Sequence, residues 1–326
     1  MDLMLIDKNR KLQGAVSFYA IDVSEGLETN RFTVMVPSDV VPIVQGSFFD
    51  LLGTEYGGVV RDVSSRHEGL QHWRVYEGDT WGGILNRHVV KPPSGQDHYK
   101  LQGEANDELQ RLIDTLGIGD LFVAEDANSG ITVNASMRYV YAFDALRDAL
   151  FDQSARLKKR YDYELRKVVL SAVPLEQRPP LSDDEHQITV THYTPVNHLV
   201  CLGEGEMQQR IVVDLYADAD GVISKTPTFT GIDEVAQLYD YSSADAETLE
   251  ADGRKTLAEQ QVFSSIEAAF PEDLGDVYAL DESLRALDTL DGSIVTVRIA
   301  KKIITVDDLG LINVQYEPAP VTPRRQ

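Results

Sequence analysis

Apolar and polar residues alternate along most of the first hundred positions, which is the pattern of β-strands with one buried face. The alternation is strict over 31–37, where Pro37 ends the run because proline cannot donate a ladder hydrogen bond. Other strands are expected as a pair within 1–20, joined by the polar turn 7–10, and as a hairpin formed by 57–66 and 71–76. Strands and turns at this regular spacing predict a small barrel or sandwich over 1–103.

After residue 103 the apolar spacing changes to three and four residues, which predicts helices. Asn106 is expected to cap one helix, which Gly117 ends. Its apolar face is formed by Leu109, Leu112, Ile113 and Leu116. A second helix is expected over 143–160, where the basic run 156–160 would complement the negative end of the helix dipole.

Two short strands, 121–125 and 131–135, are expected between these helices, across the turn 128–130. The segment 104–160 is therefore predicted to be an inserted α/β domain. The strand 161–173 follows it and is expected to complete the first barrel domain, 1–103.

Prolines and acidic residues concentrate in 174–187, which is the clearest linker in the chain. A second barrel domain is expected over 186–317, with a helical insertion at 232–260 and a flexible tail at 318–326. The strands expected after the insertion are 277–280, 294–300, 302–306 and 311–316.

The helical insertion is predicted from its spacing of apolar residues. Ile232, Val235 and Leu238 lie three apart, which indicates a short helix. A longer helix is expected over 243–260, where Ser242 and Asp245 form a plausible capping box. Leu249, Gly253 and Leu257 recur every four residues along it.

The segment 195–241 has the most distinctive sequence. A buried strand is expected at 197–202 and a half-buried strand at 210–216, followed by the hairpin turn 220–221 and the start of a return strand at 222–223. These residues predict the wall of a barrel or sandwich and include no reactive constellation.

The segment 195–241 resembles tail-tip hub proteins of long-tailed, siphovirus-type phages that infect Gram-positive bacteria. The resemblance rests on Asn-His-Leu-Val-Cys-Leu-Gly-Glu-Gly-Glu at 197–206 and on Arg-Ile-Val-Val-Asp-Leu-Tyr-Ala-Asp at 210–218. It extends more loosely toward residue 57 through Gly58-Val-Val-Arg-Asp-Val, Trp81-Gly-Gly-Ile-Leu and Gly103-Glu-Ala.

The resemblance implies a β-rich α+β fold with two tube-type β-barrel domains that carry small α/β and helical insertions. It implies a trimeric ring that adapts the six-fold tail tube to the three-fold tip and lets DNA and the tape measure pass. The implied partners are the distal tail protein, the tail tube protein, the tape-measure protein and the receptor-binding or fibre proteins. The implied location is the virion tail tip, after assembly in the host bacterial cytoplasm.

Composition limits the other classes of function. The 326 residues include 53 acidic and 30 basic side chains, which give a formal net charge of −23. Such a surface repels nucleic acid phosphates, so no sequence-specific nucleic acid partner is expected. No apolar run reaches the length of about 18 residues that spans a bilayer, and 1–11 lacks the apolar region of a signal peptide. We therefore expect neither a membrane segment nor a secretion signal.

The sequence predicts no catalytic, cofactor-binding or metal-binding residues. Cys201 is the only cysteine, and its odd spacing from His198 places the two side chains on opposite faces of a strand. The run 218–221 imitates part of a calcium loop, but Tyr216 and Pro227 occupy the positions that would need acidic ligands. We therefore expect a structural protein rather than an enzyme.

An alternative function is a tail protein that binds cell-wall carbohydrate or degrades peptidoglycan. It would use Trp73, Tyr76 and Trp81 as a sugar-binding floor, with the carboxylates of Glu204 and Glu206 beside it. It requires these aromatic side chains to line a concave, exposed surface.

Overall fold

The structure, a computed structural model, describes residues 2–27, 29–68, 71–176, 178–180, 187–192, 194–219, 221–261, 264–269, 278–288, 292–307 and 310–320. These residues divide into two compact units. The first unit comprises the described residues of Met1–Pro179, Ala268–Ser283 and Ile299–Glu317. The second comprises those of Pro180–Glu267, Leu284–Arg298 and Pro318–Gln326.

Strands dominate the described part of the chain. In chain order they are β1 (Leu3–Ile6), β2 (Leu12–Val16), β3 (Ala20–Gly26), β4 (Arg31–Pro37), β5 (Phe48–Leu51), β6 (Gly57–Glu68), β7 (Gln71–Thr80), β8 (Val89–Val90), β9 (Tyr99–Glu104), β10 (Phe122–Ala124), β11 (Thr132–Met137), β12 (Val140–Tyr141), β13 (Ala155–Asp162), β14 (Lys167–Pro174), β15 (Gln187–His192), β16 (His198–Leu202), β17 (Val212–Ala217), β18 (Ile223–Ser224), β19 (Ala236–Asp240), β20 (Ser264–Ala269), β21 (Ser283–Leu287), β22 (Ile294–Val306) and β23 (Ile312–Pro320). The helices are α1 (Trp81–Asn86), α2 (Ala105–Leu116), α3 (Ala142–Phe151) and α4 (Ala246–Glu259), and Met207–Gln209 and Gly231–Asp233 form 3₁₀ turns.

A large sheet forms the framework of the first unit. Its strand order is β2-β1-β5-β6-β7-β4-β3-β22, antiparallel throughout, and β23 also pairs with β22. Phe32, Val34 and Val36 on β4 are buried, as the strict alternation of 31–37 predicts. The order continues from β22 to β21 and does not return to β2, so the described strands do not close into a barrel. The predicted β-rich α+β class is confirmed, and the two tube-type barrels stay a prediction.

The helix α2 confirms the predicted apolar face and shows a different N-cap. Leu109, Leu112 and Ile113 are buried, and Gly117 ends the helix in the left-handed conformation, with φ of 68°. The capping side chain belongs to Glu104, which accepts a hydrogen bond from the Asp107 amide at 2.9 Å. Asn106 is instead buried, where its amide group donates to the Ala127 carbonyl and accepts from the Ala172 amide.

The helix predicted over 143–160 is shorter in the structure. α3 ends at Phe151, and β13 pairs with β14 along its whole length. The run 155–161 also has a period of two, since Ala155, Leu157, Lys159 and Tyr161 are all buried. The eight-residue pairing with β14 favours this period over the helical one. The basic run 156–160 therefore lies on a strand and does not complement a helix dipole.

Strand pairing differs from expectation at three places. The strands predicted at 121–125 and 131–135 do not pair with each other, because β10 pairs with β14 and β11 pairs with β9. β14, expected to complete the first barrel, belongs to a three-stranded sheet with β10 and β13. The predicted strands 294–300 and 302–306 are one strand, β22, whose residues 301–306 pair with β3.

The second unit contains a four-stranded sheet in the order β18-β17-β16-β19. α4 covers one face, where Leu249 and Leu257 pack with Leu199, Cys201 and Leu215. β15 pairs with β20 in a separate two-stranded sheet. The first strand of the resembling segment is confirmed, and β17 begins two residues later than predicted.

The helix predicted over 232–238 is wrong. Only the 3₁₀ turn Gly231–Asp233 is helical, and β19 pairs in parallel with β16 over five residues. Asp245 caps α4 by accepting a hydrogen bond from the Thr248 amide at 2.8 Å. The predicted turn residue Asp220, the linker residues 181–186 and the tail residues 321–326 lie outside the described residues.

No helix in the described ranges is both long enough and apolar enough to cross a membrane.

Gly253 determines how closely α4 approaches its sheet. A Cβ at this position would lie 2.6 Å from the Cys201 Sγ and 2.9 Å from the Leu215 Cδ1. We expect Gly253→Ala to lower the free energy of unfolding by about 1–3 kcal/mol, because overpacking outweighs the gain in helix propensity.

Urea unfolding measures this change. Adding Cys201→Ala removes the Sγ that the new methyl group would meet, so the double variant should recover part of the loss. If Gly253→Ala is as stable as the wild type, the close approach does not limit the packing.

Candidate functional site

Cys201 and His198 lie on opposite faces of β16, as their spacing predicts. The Cys201 thiol is fully buried under α4, and burial, followed by the charge of Asp214, raises its pKa to about 11. On the other face, the two ring nitrogens of His198 lie 2.6 Å from Glu234 Oε1 and 3.0 Å from Asp214 Oδ1. The imidazole also stacks on Tyr216, with centroids 4.2 Å apart. The two residues therefore form no nucleophile–base pair.

The acidic motifs of the second unit have structural roles where the structure describes them. Asp218 Oδ1 accepts a hydrogen bond from the Val222 amide at 2.8 Å and so closes the turn that begins the return strand. Glu204 and Glu206 are both exposed. Among the described residues, no group of three histidine, cysteine or acidic side chains is placed to hold a metal ion.

The aromatic residues of the carbohydrate-binding alternative are core residues. Trp81 is fully buried and stacks on Phe48 and Tyr161. Thr80 caps α1 by accepting a hydrogen bond from the Gly83 amide. Trp73 and Tyr76 are also buried. None of the three tryptophan and tyrosine rings offers the exposed floor that the alternative requires.

A network of buried charges is the feature of the first unit that the sequence did not reveal. Glu25 on β3 accepts a hydrogen bond from the Gly82 amide at 2.9 Å, and its other oxygen lies 3.0 Å from the Lys159 ammonium on β13. Both side chains are fully buried. A Cβ at Gly82 would lie 2.5 Å from Glu25 Oε1 and 2.5 Å from the Phe143 ring, so only glycine leaves room for this contact.

A second buried pair joins α3 to the segment before β21. Arg147 makes a two-pronged contact with Asp281, with nitrogen–oxygen distances of 2.7 and 2.9 Å, and donates to the Ala300 carbonyl at 2.9 Å. Burial opposes the charge of Arg147, but Asp281 outweighs it and raises the pKa of the guanidinium. The bidentate geometry fixes both the distance and the orientation of the two elements.

Lys302 is the most deeply buried cation of the network. Its ammonium donates to the Tyr278 carbonyl at 2.5 Å and lies over the rings of Tyr56 and Tyr316, 5.4 and 5.2 Å from their centroids. Burial lowers the pKa of Lys302 to about 7, and the nearby charge of Glu55 opposes that change. Glu55 also pairs with Arg156 at 2.7 Å.

The contacts of this network join different strands and helices of the first unit, so they contribute to its structure. A signal for the network does exist in the sequence. Lys159 and Lys302 both occupy positions of a strand where the alternation requires a buried residue.

A separate buried carboxyl lies behind Tyr163. Asp50 is only 4% exposed, and Tyr163 donates a hydrogen bond of 2.6 Å to its Oδ2. Burial raises the pKa of Asp50 to about 6, and the hydrogen bond from Tyr163 opposes that rise. Tyr163 lines a surface cleft of about 500 Å³ beside the edge strand β2. We call this the basic cleft, because Arg10, Lys11 and Arg166 line it together with Met4, Leu12 and Leu52.

The edge strand β2 is the candidate assembly surface of the first unit. It pairs with β1 on one side and ends the strand order of the sheet. An unpaired strand edge presents backbone groups that another chain can pair with. A second cleft, of about 610 Å³, lies along the same strand and includes Gln13 and Phe18 in its lining.

Comparison with known proteins identifies relatives by structure only. No protein family model matches the sequence. No curated protein matches it either.

Solved structures share the fold along nearly the whole chain. The tail protein from Neisseria meningitidis MC58 is 10% identical, with a TM-score of 0.53 over 97% of this chain and 95% of that protein. The 43 kDa tail protein of prophage MuSo2 from Shewanella oneidensis is 12% identical, with a TM-score of 0.54 over 98% of each chain. A chain of the phage P2 baseplate, in its activated conformation with Ca, is 11% identical, with a TM-score of 0.50 over 97% of this chain and 99% of that one.

This protein therefore has the fold of phage tail and baseplate proteins. The predicted resemblance is confirmed at that level. The matching proteins come from Neisseria and Shewanella as well as from phage P2, so the fold is common to tail proteins of several sources.

The buried pair of Glu25 and Lys159 predicts strong coupling between the two side chains. We expect Glu25→Gln and Lys159→Met each to lower the free energy of unfolding by about 3–5 kcal/mol, because each leaves an unpaired buried charge. The double variant should lose clearly less unfolding free energy than the two single variants lose together. Chemical unfolding of the four proteins gives the coupling energy, with Lys158→Met, at an exposed position of the same strand, as the control. Strictly additive losses would contradict the pairing.

The raised pKa of Asp50 predicts a pH-dependent gain from Asp50→Asn. The folded state holds the Asp50 proton up to a pH of about 6, whereas the unfolded chain releases it near the ordinary value of 3.8. The stability that protonated Asp50 contributes is therefore fully present below about pH 4 and is lost as the pH rises through 6. Asparagine does not titrate and still offers an oxygen to Tyr163. The free energy of unfolding of the variant, relative to that of the wild type, should therefore rise by roughly 3 kcal/mol between pH 4 and 7, at 1.36 kcal/mol for each unit of pKa.

Unfolding of both proteins by urea from pH 4 to 7 tests this prediction. The other carboxyls titrate equally in the two proteins, so the difference between them isolates Asp50. A difference that does not change with pH would show that Asp50 has an ordinary pKa.

Proposed function

We propose that the protein is the central hub at the tail tip of a phage or phage-like particle. The observation that carries this proposal is the extent of the fold match. It covers 97–98% of this chain and 95–98% of two tail proteins, one of them from a prophage. A match of this extent compares whole subunits and not one shared domain. The earlier resemblance of 195–241 to siphovirus tail-tip hubs selects the hub among tail components.

In this proposal three copies form a ring. As the resemblance implies, each chain would contribute two barrel domains, so that the six barrels of a trimer match a six-fold tail tube and its three chains match a three-fold tip. The exposed edge of β2 gives neighbouring copies a surface to pair with. The net charge of −23 favours a ring through which DNA and the tape measure pass without binding.

The partners that this role requires are the other components of a tail tip. We propose contacts with the distal tail protein, the tail tube protein, the tape-measure protein and the receptor-binding or fibre proteins. The assembled protein would lie at the virion tail tip, after assembly in the host bacterial cytoplasm.

We infer a structural role rather than an enzymatic one. The cysteine thiol is buried, the candidate acidic motif at 218–221 forms a turn, and the aromatic residues of the carbohydrate-binding alternative belong to the core. No observation on the described residues favours the alternative.

Imaging of single particles, combined with light scattering over a range of concentrations, tests the hub role. We expect a three-fold ring with six lobes around a lumen, and a mass three times that of the chain. The measurement is made on the protein alone and with the ring-forming distal tail protein added. A particle that remains a monomer in both conditions at every concentration would contradict the hub role.

A further inference from the structure

The basic cleft is a local reversal of charge on a strongly acidic protein. Arg10, Lys11 and Arg166 converge on it, although the chain has a net charge of −23. The side chains of Lys11 and Arg166 make no hydrogen bond or ion pair with any residue that the structure describes, and Arg10 donates to the Asp120 carbonyl. The cleft therefore offers cations to a group from outside the unit.

The floor of the basic cleft is apolar and accessible. Leu12 is 50% exposed and Leu52 is 47% exposed, and Met4 lies between the buried and exposed classes. The volume of about 500 Å³ is larger than one branched side chain needs. A ligand that fits this cleft combines an apolar side chain with an adjacent negative charge.

The second unit presents this combination at the 3₁₀ turn Gly231–Asp233. Ile232 is 99% exposed, and Asp233 follows it directly. The Asp233 carboxylate makes no ion pair or hydrogen bond with the residues that the structure describes. We call Ile232 and Asp233 the acidic knob.

Hydrogen bonds from a buried side chain fix the backbone beside the acidic knob. Asn197 is buried, and its amide group donates to the Asp233 carbonyl at 2.7 Å and accepts from the Val235 amide at 2.9 Å. A single exposed apolar residue on a mobile turn needs no explanation. This turn is anchored at its C-terminal end by the buried Asn197 side chain, so the backbone that follows Ile232 is pre-organised for a contact.

We propose that the acidic knob of one copy binds the basic cleft of a second copy of the same chain. Ile232 enters the cleft against Leu12 and Leu52, and the Asp233 carboxylate meets the cations at its rim. The knob and the cleft are different surfaces of one chain, so the contact is head-to-tail. Contacts of this kind generate a ring when the rotation between copies closes. This inference rests on the proposed ring and names the residues that join its subunits.

Reversal of charge on each side provides the test. Lys11→Glu with Arg166→Glu reverses the cleft, and Asp233→Lys reverses the knob. Each variant alone should weaken self-association about tenfold or more, since like charges then face each other. The combined variant restores opposite charges, with the signs exchanged, and should recover the wild-type association.

Self-association is measured by sedimentation velocity under the conditions in which the wild type forms rings. Lys100→Glu with Lys158→Glu matches the charge change of the cleft variant, and Glu204→Lys matches that of the knob variant; all three positions are exposed, and these controls should leave association unchanged. Ile232→Asp should weaken it without any change at the cleft. Circular dichroism and thermal unfolding confirm that each variant is folded.

The outcomes separate the two proposals. A wild-type ring that both reversals leave intact would overturn the knob-and-cleft contact and keep the hub role. A wild type that never assembles, alone or with its ring-forming neighbour, would overturn the hub role itself. If each reversal alone weakens self-association and the combined variant does not recover it, the contact would also be overturned, because the two surfaces would then act independently.

Discussion

The burial of Glu25 against Lys159 is the constraint on which the first unit depends. Removing two charges from water has a free-energy cost of several kcal/mol for each ion, and their attraction offsets it only with good geometry and further hydrogen bonds. The Gly82 amide supplies such a bond, and glycine is the only residue type at position 82 that leaves room for it. An apolar pair could stabilise the unit equally well, but it would not fix one arrangement. We therefore interpret the network as the determinant of how β13 and α3 dock on the large sheet, with Arg147 and Asp281 as its second anchor.

Local patterns of residues predicted where many strands and helices lie, but they seldom predicted which strands pair with each other. β4 and α2 were predictable because each has a clean period and a residue that ends it, Pro37 for the strand and Gly117 for the helix. The segment 143–160 was not, since its second half satisfies both a helical and a strand period and only the pairing with β14 decides between them. The pairing of Gly26 with Lys301 has no local signal at all.

The same limit applies to the sites. The opposite placement of Cys201 and His198 follows from the geometry of any strand, so the sequence was sufficient. The burial of Lys159 and Lys302 was not predicted from the sequence, because charged residues are rarely buried and are ordinarily assigned to the exposed face of a strand. The acidic knob was hidden for a related reason. The spacing of Ile232, Val235 and Leu238 matched an amphipathic helix, whereas a parallel strand pairing and the buried Asn197 hold the segment in another form.

The late pairing of β22 with β3 has a consequence for synthesis of the protein. β3 emerges from the ribosome early, but one of its edges stays without its partner until residues 301–306 have been made. The segments 180–267 and 284–298 of the second unit lie between the two strands in the chain, so most of that unit has been made before the first unit can complete the pairing of β3. Until then the growing chain exposes a strand edge that other chains can pair with. A nascent chain interrupted before this point would carry the acidic knob without the completed sheet beside β3. The arrival of β22 is therefore the step of synthesis at which this edge of β3 can first be paired.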